Sequence, residues 1–280
     1  MAAIAELPEI ETLRRDLDRE VGGKKIRSAE AESMSSLPRY NNRKAFTSQL
    51  ESRKVGPVRR RATVLLFDIG DAEFLVARLG TGYFRRQAAK DAEEKGTQVV
   101  ITFTQGGQLR FVDPGGEGEL FVVAAESLPD EVPELASMGF DPVDDQMSWT
   151  SFGQRLVRQG DAKLKSILTD PSFVVGIGPV YSDEILHDAL LRGDRASNGL
   201  TTQEIRRLYR SVVETMHNAI KYRGSSTDEN GWLDLHGAPG GYNEYLEVYG
   251  RAGERSRNGR GEVQKVKVGG QTHYFAQYQV

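Results

Sequence analysis

Apolar residues near the start of the chain recur three and four positions apart. Leu7, Ile10, Leu13, Leu17 and Val21 follow this spacing, with charged residues between them. The spacing predicts one stripe of an amphipathic helix. Pro8 suits its opening and Gly22-Gly23 its end. From Lys24 to about Phe140 the pattern reads as β. Ala62 to Ile69, Glu73 to Leu79, Gln98 to Thr104 and Leu109 to Val112 are short apolar, β-branched runs, and Gly106-Gly107 is a hairpin turn. Gln87 to Gly96 is charged and polar, and a mobile loop is expected there. Met138 to Asp145, with Asp141-Pro142 and Asp144-Asp145, marks the exit from the β region.

Helical spacing then returns. Phe152, Leu156 and Val157 lead into a helix carrying Lys163, Leu164, Ile167 and Leu168. Asp170-Pro171 stops it, because the residue before a proline avoids the α region. Phe173-Val174-Val175 forms an apolar plug. Gly176-Ile177-Gly178 then gives two positions where the backbone can turn freely or approach a ligand closely. Pro179 fits the first turn of the next helix, whose inner face carries Tyr181, Ile185, Leu186, Ala189 and Leu190. A glycine turn entering a helix N-terminus is a way to hold phosphate; a plain helical hairpin is the alternative. A long amphipathic helix follows from about Thr202 to Tyr222, with Ile205, Leu208, Val212, Met216 and Ile220 inward. Gly224 to Asn230 reads as a flexible loop. Lys265 to Val268, Gly269-Gly270 and Thr272 to Phe275 make a terminal β-hairpin. No internal repeat is visible.

A chain of 280 residues can bury two modest cores. It has no apolar run of membrane-spanning length, and Met1 to Ile4 lack the basic and apolar regions of a signal peptide. The absence of cysteine excludes disulfides and thiolate metal sites. A cytoplasmic protein is expected, nucleoid-associated if it binds DNA. The net charge of −3 argues mildly against tight, non-specific binding to a polyanion, unless basic residues collect on one face. Arg251, Arg255, Arg257, Arg260, Lys265 and Lys267 do collect near the C-terminus. Arg206, Arg207 and Arg210 are expected on the solvated side of the last long helix. His187, His217, His236 and His273 are scattered and suggest neither a triad nor a metal cluster.

Four stretches carry a more specific signal. They are Glu6 to Arg15, Arg60 to Leu66 followed by Leu79-Gly80, Ala162 to Leu191, and Val248-Tyr249-Gly250-Arg251 with Lys265 to His273. In this order they resemble the formamidopyrimidine-DNA glycosylase / endonuclease VIII family of bacterial base-excision repair enzymes. The resemblance implies an α+β multidomain fold. An N-terminal helix and β-sandwich would occupy 1–145, a helical domain with a helix–two-turn–helix 146–235, and a finger hairpin 236–280.

The family's chemistry begins with an N-terminal proline amine, which attacks the sugar C1′ of a flipped-out nucleotide and forms a Schiff base. An α-amine suits this task because its pKa of about 8 leaves much of it neutral near pH 7. The matching residue here is Ala5, which Met1-Ala2-Ala3-Ile4 precede, so its nitrogen lies in a peptide bond. Glu6 matches the family's ring-opening carboxylate, and Glu9 and Glu11 match two further glutamates. Thr63 stands for a phosphate-holding lysine. Thr81 and Gly115 to Glu117 stand for the side chains that fill the gap left by the flipped base. Pro179 replaces a phosphate-binding asparagine, while Lys165, Gly176 and Gly178 match retained positions. Ser256, Gly259, Phe275 and Tyr278 stand where the family has four zinc-binding cysteines. A zincless finger is therefore expected, with Phe275 and Tyr278 as an apolar substitute for the metal. Gly270-Gln271 stands where the family has a phosphate-contacting arginine at the finger's tip.

The expected DNA contacts are Lys165, Gly176, Gly178, Arg251, Arg257, Arg260, Lys265 and Lys267, with no cofactor or metal. Weak to moderate binding of duplex DNA by a monomer is expected. These replacements favour a repair-related DNA-binding protein without the proline-dependent lyase reaction. Competing expectations are an active glycosylase or abasic-site lyase using another amine, and a protein-interaction or regulatory module.

Overall fold

A computed structural model describes residues 5–227 and 231–280, so Met1 to Ile4 and the end of the expected 224–230 loop lie outside the described residues. The chain folds as two compact units. One contains Ala5, residues 9–136 and the described residues 231–240, and the other contains residues 6–8, 137–227 and 241–280. The finger is part of the second unit, and the segment after the last long helix is part of the first.

The first unit is a β-sandwich with a helix. Helix α1 (Leu7–Val21) is followed by β1 (Ile26–Ala31), the short α2 (Arg43–Thr47), β2 (Val58–Arg61), β3 (Val64–Asp68), β4 (Glu73–Arg78), β5 (Tyr83–Gln87), β6 (Thr97–Phe103), β7 (Gln108–Val112) and β8 (Glu119–Ala124). Two short helices, α3 (Leu128–Glu131) and α4 (Glu134–Ser137), close the segment. The strands form two four-stranded antiparallel sheets, ordered β1-β6-β7-β5 and β2-β3-β4-β8. Alternation divides the side chains of β3 between two cores. Leu65 and Phe67 join Ile10, Leu13 and Leu17 of α1 with Val99, Ile101 and Phe111 of the other sheet. Val64 and Leu66 point the other way, to Val76, Phe121 and Val132. Both faces are therefore covered, which explains the unbroken apolar run in β3. Each fully buried Leu or Phe in these layers contributes about 1.5–3 kcal/mol.

The 87–96 loop is held rather than loose. Arg110 on β7 is fully buried, and its guanidinium donates to Gln87 Oε1, the Ala92 carbonyl and the Asp91 carbonyl at 2.6, 2.8 and 2.9 Å. A buried arginine brings five donors, and this loop supplies three of their acceptors.

The second unit contains α5 (Trp149–Val157), α6 (Leu164–Leu168), α7 (Pro179–Asp188), α8 (Thr202–Lys221) and the antiparallel pair β9 (Val263–Val268) and β10 (Gln271–Ala276). Helix α8 begins with a capping box in which Thr201 Oγ1 accepts from the Glu204 amide and Glu204 from the Thr201 amide. Its predicted stripe, Ile205, Leu208, Val212, Met216 and Ile220, is buried. Val157 and Leu190 are exposed instead. Leu190 lies past the end of α7 with φ at +55°, so it no longer follows the helical face.

Candidate functional site

The second unit is built around the N-terminus of α7. Pro179 occupies the first helical turn and Gly178 the N-cap, as the spacing predicted. The group that fills the resulting pocket of amides belongs to the chain itself. Glu6 accepts from the amides of Gly178 at 2.6 Å, Val180 at 2.9 Å and Tyr181 at 3.3 Å. Three N–H groups that would otherwise be orphaned meet a carboxylate at the positive end of the helix dipole. Both glycines are required by close approach. A Cβ on Gly178 would stand 2.7 Å from the Glu6 carboxyl carbon, and one on Gly176, whose φ is +67°, would stand 2.5 Å from Leu7 Cβ. The cradle expected at Gly176 and Gly178 therefore holds Glu6 rather than phosphate. Ala5, directly before Glu6, is half-buried.

Lys165 is also placed otherwise than expected. Its side chain is fully buried, and Nζ donates to Asp183 Oδ1 at 2.6 Å and to the Pro179 carbonyl at 3.1 Å. It is thus unavailable to an external phosphate. Asp183 also accepts from His273 Nδ1 at 2.6 Å and from the Tyr274 amide at 2.9 Å. The amide of Gly193 donates to His273 Nε2 at 2.9 Å. A backbone N–H can only donate, so the histidine carries its proton on Nδ1. Lysine, aspartate and histidine form one buried triad that ties α6 and α7 to β10. The sequence kept these three apart, and His273 looked isolated.

The next residue of α7, Glu184, is buried and organises the Val248-Tyr249-Gly250-Arg251 stretch. Its carboxyl accepts from the amides of Glu247, Val248 and Tyr249 at 2.8, 3.0 and 2.9 Å. Burial, with the nearby Asp183 charge, pushes its pKa up to about 7 against the pull of those amides. The folded chain then keeps a proton that the unfolded chain releases near 4.5. The associated stability is present below about pH 4.5 and lost as pH rises to about 7, by on the order of 1–3 kcal/mol. Melting temperatures between pH 5 and 7.5 should fall more steeply for the parent than for Glu184→Gln. Parallel curves would rule this out. Glu11 acts in a different window. Burial raises its pKa, but hydrogen bonds from Arg14, Arg15 and Arg60 outweigh this and hold it at about 2, so its contribution is lost only below about pH 4.5.

In the finger, Arg257, Arg260, Lys265 and Lys267 are exposed. Arg251 is half-buried and committed to its own loop, with bonds to Glu254 at 2.9 Å and to the Leu246 and Glu247 carbonyls at 3.3 and 2.9 Å. The positions matched to zinc ligands offer no set of metal donors. Ser256 Oγ is bonded to Asn258 Oδ1 at 2.9 Å. Phe275 is buried, with its ring 5.4 Å from His273 and 4.3 Å from the Arg192 guanidinium. Tyr278 is a polar link rather than an apolar plug: its hydroxyl meets His187 Nε2 at 2.6 Å and accepts from Asn258 Nδ2 at 2.7 Å. Four positions without a thiolate or imidazole do not fit a tetrahedral zinc site.

In the first unit, Thr63 sits at the tip of the β2–β3 hairpin, after Ala62 at φ +51°. The positions matched to the gap-filling side chains close on each other. Thr81 Oγ1 donates to Asp113 Oδ1 at 2.7 Å, and the Gly118 amide donates to Asp113 Oδ2 at 2.6 Å. A Cβ on Gly115 would lie 2.3 Å from Thr81 Oγ1. A larger side chain at Gly115 would have to break this loop.

Comparison with known proteins places these features in a family. Residues 4–120 match the formamidopyrimidine-DNA glycosylase N-terminal domain, and residues 138–230 match the formamidopyrimidine-DNA glycosylase H2TH domain. The chain is 31% identical over 271 residues to formamidopyrimidine-DNA glycosylase of Pelotomaculum thermopropionicum, covering 96% of each. It is 32% identical over 277 residues to the Desulforamulus reducens protein of the same name, again covering 96% of each. The solved structure of Lactococcus lactis Fpg in complex with DNA containing an abasic site superposes with a TM-score of 0.87 at 28% identity, covering 97% of this chain and 98% of that one. The same Fpg with DNA containing an oxidised pyrimidine gives 0.85 at 28% identity, covering 97% of each chain. The chain belongs to the formamidopyrimidine-DNA glycosylase family.

Proposed function

We propose that the chain is a DNA-binding, repair-related member of its family that does not perform the N-terminal-amine lyase reaction. The observation that carries this reading is Ala5. It holds the nucleophile position, with Ile4 before it and Glu6 after it, so its nitrogen is an amide without a basic lone pair. Thr63 brings no positive charge where a phosphate-holding lysine is expected, and the Thr81–Asp113–Gly115 closure leaves nothing to insert between bases. Unstacking a base costs a few kcal/mol and needs a replacement contact. DNA contact is supported by the relatives solved on DNA and by Arg257, Arg260, Lys265 and Lys267 standing exposed on the finger. The finger is proposed to fold without zinc, and the protein to act as a monomer.

Borohydride trapping tests the chemistry. An imine between a protein amine and the sugar C1′ is reduced to a stable adduct, so trapping reports the nucleophile. The full chain should give no adduct with abasic-site duplex, and a chain beginning at Ala5 only a faint one. Efficient trapping by the full chain, lost on Glu6→Gln, would overturn this reading in favour of an active lyase. Binding is tested separately. Affinity for duplex DNA should fall steeply with salt, and Arg257→Ala or Lys265→Ala should each reduce the salt slope by about one contact. Absence of binding at low salt to normal, abasic and single-stranded DNA would point instead to a protein-interaction module.

A further inference from the structure

Residues 256–261 form a tight loop in the second unit, just before β9. The Ser256 amide bonds to the Gly261 carbonyl and the Gly259 amide to the Ser256 carbonyl, both at 2.8 Å. Gly259 takes φ +72°, and the Arg255 guanidinium donates to its carbonyl at 3.1 Å. Arg257 and Arg260 stand exposed on this loop, with Asn258 between them. These bonds give the loop its shape. They do not fix its direction, because both ends of each lie within residues 255–261.

Asn258 reaches outside the loop. Its Oδ1 is 2.9 Å from Ser256 Oγ and accepts from the Arg260 amide at 3.0 Å. A backbone N–H can only donate, so the carboxamide cannot be turned over, and its Nδ2 faces Tyr278 Oη at 2.7 Å. A carboxamide nitrogen also only donates. The Tyr278 oxygen therefore accepts, and its own proton is left for His187 Nε2, 2.6 Å away. The Tyr278 and His187 rings meet edge-on, with centroids 5.8 Å apart and planes at 64°. His187 lies in the last turn of α7. Burial, helped by Arg251, holds its pKa below the usual histidine value against the charges of Glu247 and Asp188, so the ring stays neutral and able to accept. The relay runs one way, from the loop through the C-terminal segment to a core helix. A loop anchored in this manner presents both guanidiniums in one direction. An unanchored loop would have to give up its freedom on binding, which costs affinity.

We propose that Asn258 is the positioning residue of the finger, and that its relay through Tyr278 to His187 aims Arg257 and Arg260 at DNA phosphate. This role rests on the DNA-binding reading above; the relay itself does not.

Two measurements on the full chain test the proposal. The first needs no DNA. Ring-nitrogen NMR at neutral pH should show His187 with its proton on Nδ1, and Tyr278→Phe should move that proton to Nε2, the form favoured in water. A proton on Nε2 in the parent, or a ring unmoved by Tyr278→Phe, would overturn the relay. The second is duplex binding over a salt series. Tyr278→Phe and Asn258→Ala leave every charge in place, yet each should weaken binding several-fold and lower the salt slope by about one to two contacts. Because both cut the same link, the double variant should bind about as well as either single one. An unchanged slope, or additive losses, would mean that Asn258 only supports the fold. If the parent binds and the variants bind equally well, the positioning role fails alone. If the parent does not bind DNA at all, the DNA-binding reading fails and the role with it. Should Asn258→Ala fold poorly, Tyr278→Phe, which removes a single oxygen, carries the test by itself.

Discussion

Asp183→Ala should destabilise the protein by about 3–5 kcal/mol, a fall of roughly 10 °C in melting temperature. The carboxylate accepts from Lys165, His273 and the Tyr274 amide, all within the interior. Its removal leaves the Lys165 ammonium, among the described residues, with only the Pro179 carbonyl, and strands the His273 Nδ1–H and a strand amide. The Coulomb attraction of the pair is not what makes the loss large. A paired charge replaced together with its partner is often nearly neutral in stability, whereas a charge left alone in the core is not. Lys165→Met should therefore cost less than Asp183→Ala, because the carboxylate keeps two donors. The double variant should fall well short of the sum of the two. Chemical denaturation of the three variants decides the matter: a loss under about 1 kcal/mol for Asp183→Ala would mean that the triad does not act as a unit.

The second large effect concerns Phe275. Truncation to alanine should cost about 3 kcal/mol, the lower end for a buried phenylalanine, because part of its packing is against Arg192 and His273 rather than aliphatic core. A finger that depends on this ring should be indifferent to chelators. Its melting temperature should be unchanged by EDTA, and elemental analysis should find no stoichiometric zinc. If Phe275→Ala were harmless, or zinc co-purified one to one, the account of the finger would be wrong.

What could be read from the sequence followed the physics of short-range pattern. Helices α1 and α8 were legible because one apolar stripe faces a core and charges face water. The β6–β7 hairpin was legible because Gly106-Gly107 sits between two β-branched runs. Strand β5 was not resolved as a separate run, because Arg85 and Arg86 interrupt its apolar sequence. The structure shelters both: Arg85 donates to the Asp234 carbonyl at 2.7 Å and Arg86 to the Gln108 carbonyl at 2.7 Å. In α7 one face was read correctly, but the helix is buried nearly all round, and Asp183 and Glu184 face inward with the leucines. Their partners lie up to 91 positions away, so no local period could reveal them. The same reason accounts for Lys165. The resemblance implied a phosphate contact for this lysine, and the aspartate that neutralises it lies 18 positions further on. The Gly176–Gly178 signal itself was sound: a close approach does occur there, and its occupant is the chain's own Glu6.

The route of the chain has a consequence for modularity. After α8 the polypeptide returns to the sandwich for residues 231–240 before rejoining the second unit. That return supplies the Leu235 carbonyl to the Arg86 amide at 3.0 Å and the Asp234 carbonyl to the buried Arg85 guanidinium. A gene fragment ending near residue 136 would encode every strand of the sandwich and still lack these acceptors. The two units therefore cannot be shuffled as separate cassettes, and a fusion or recombination boundary drawn between them would have to carry the ten-residue return along with the sandwich.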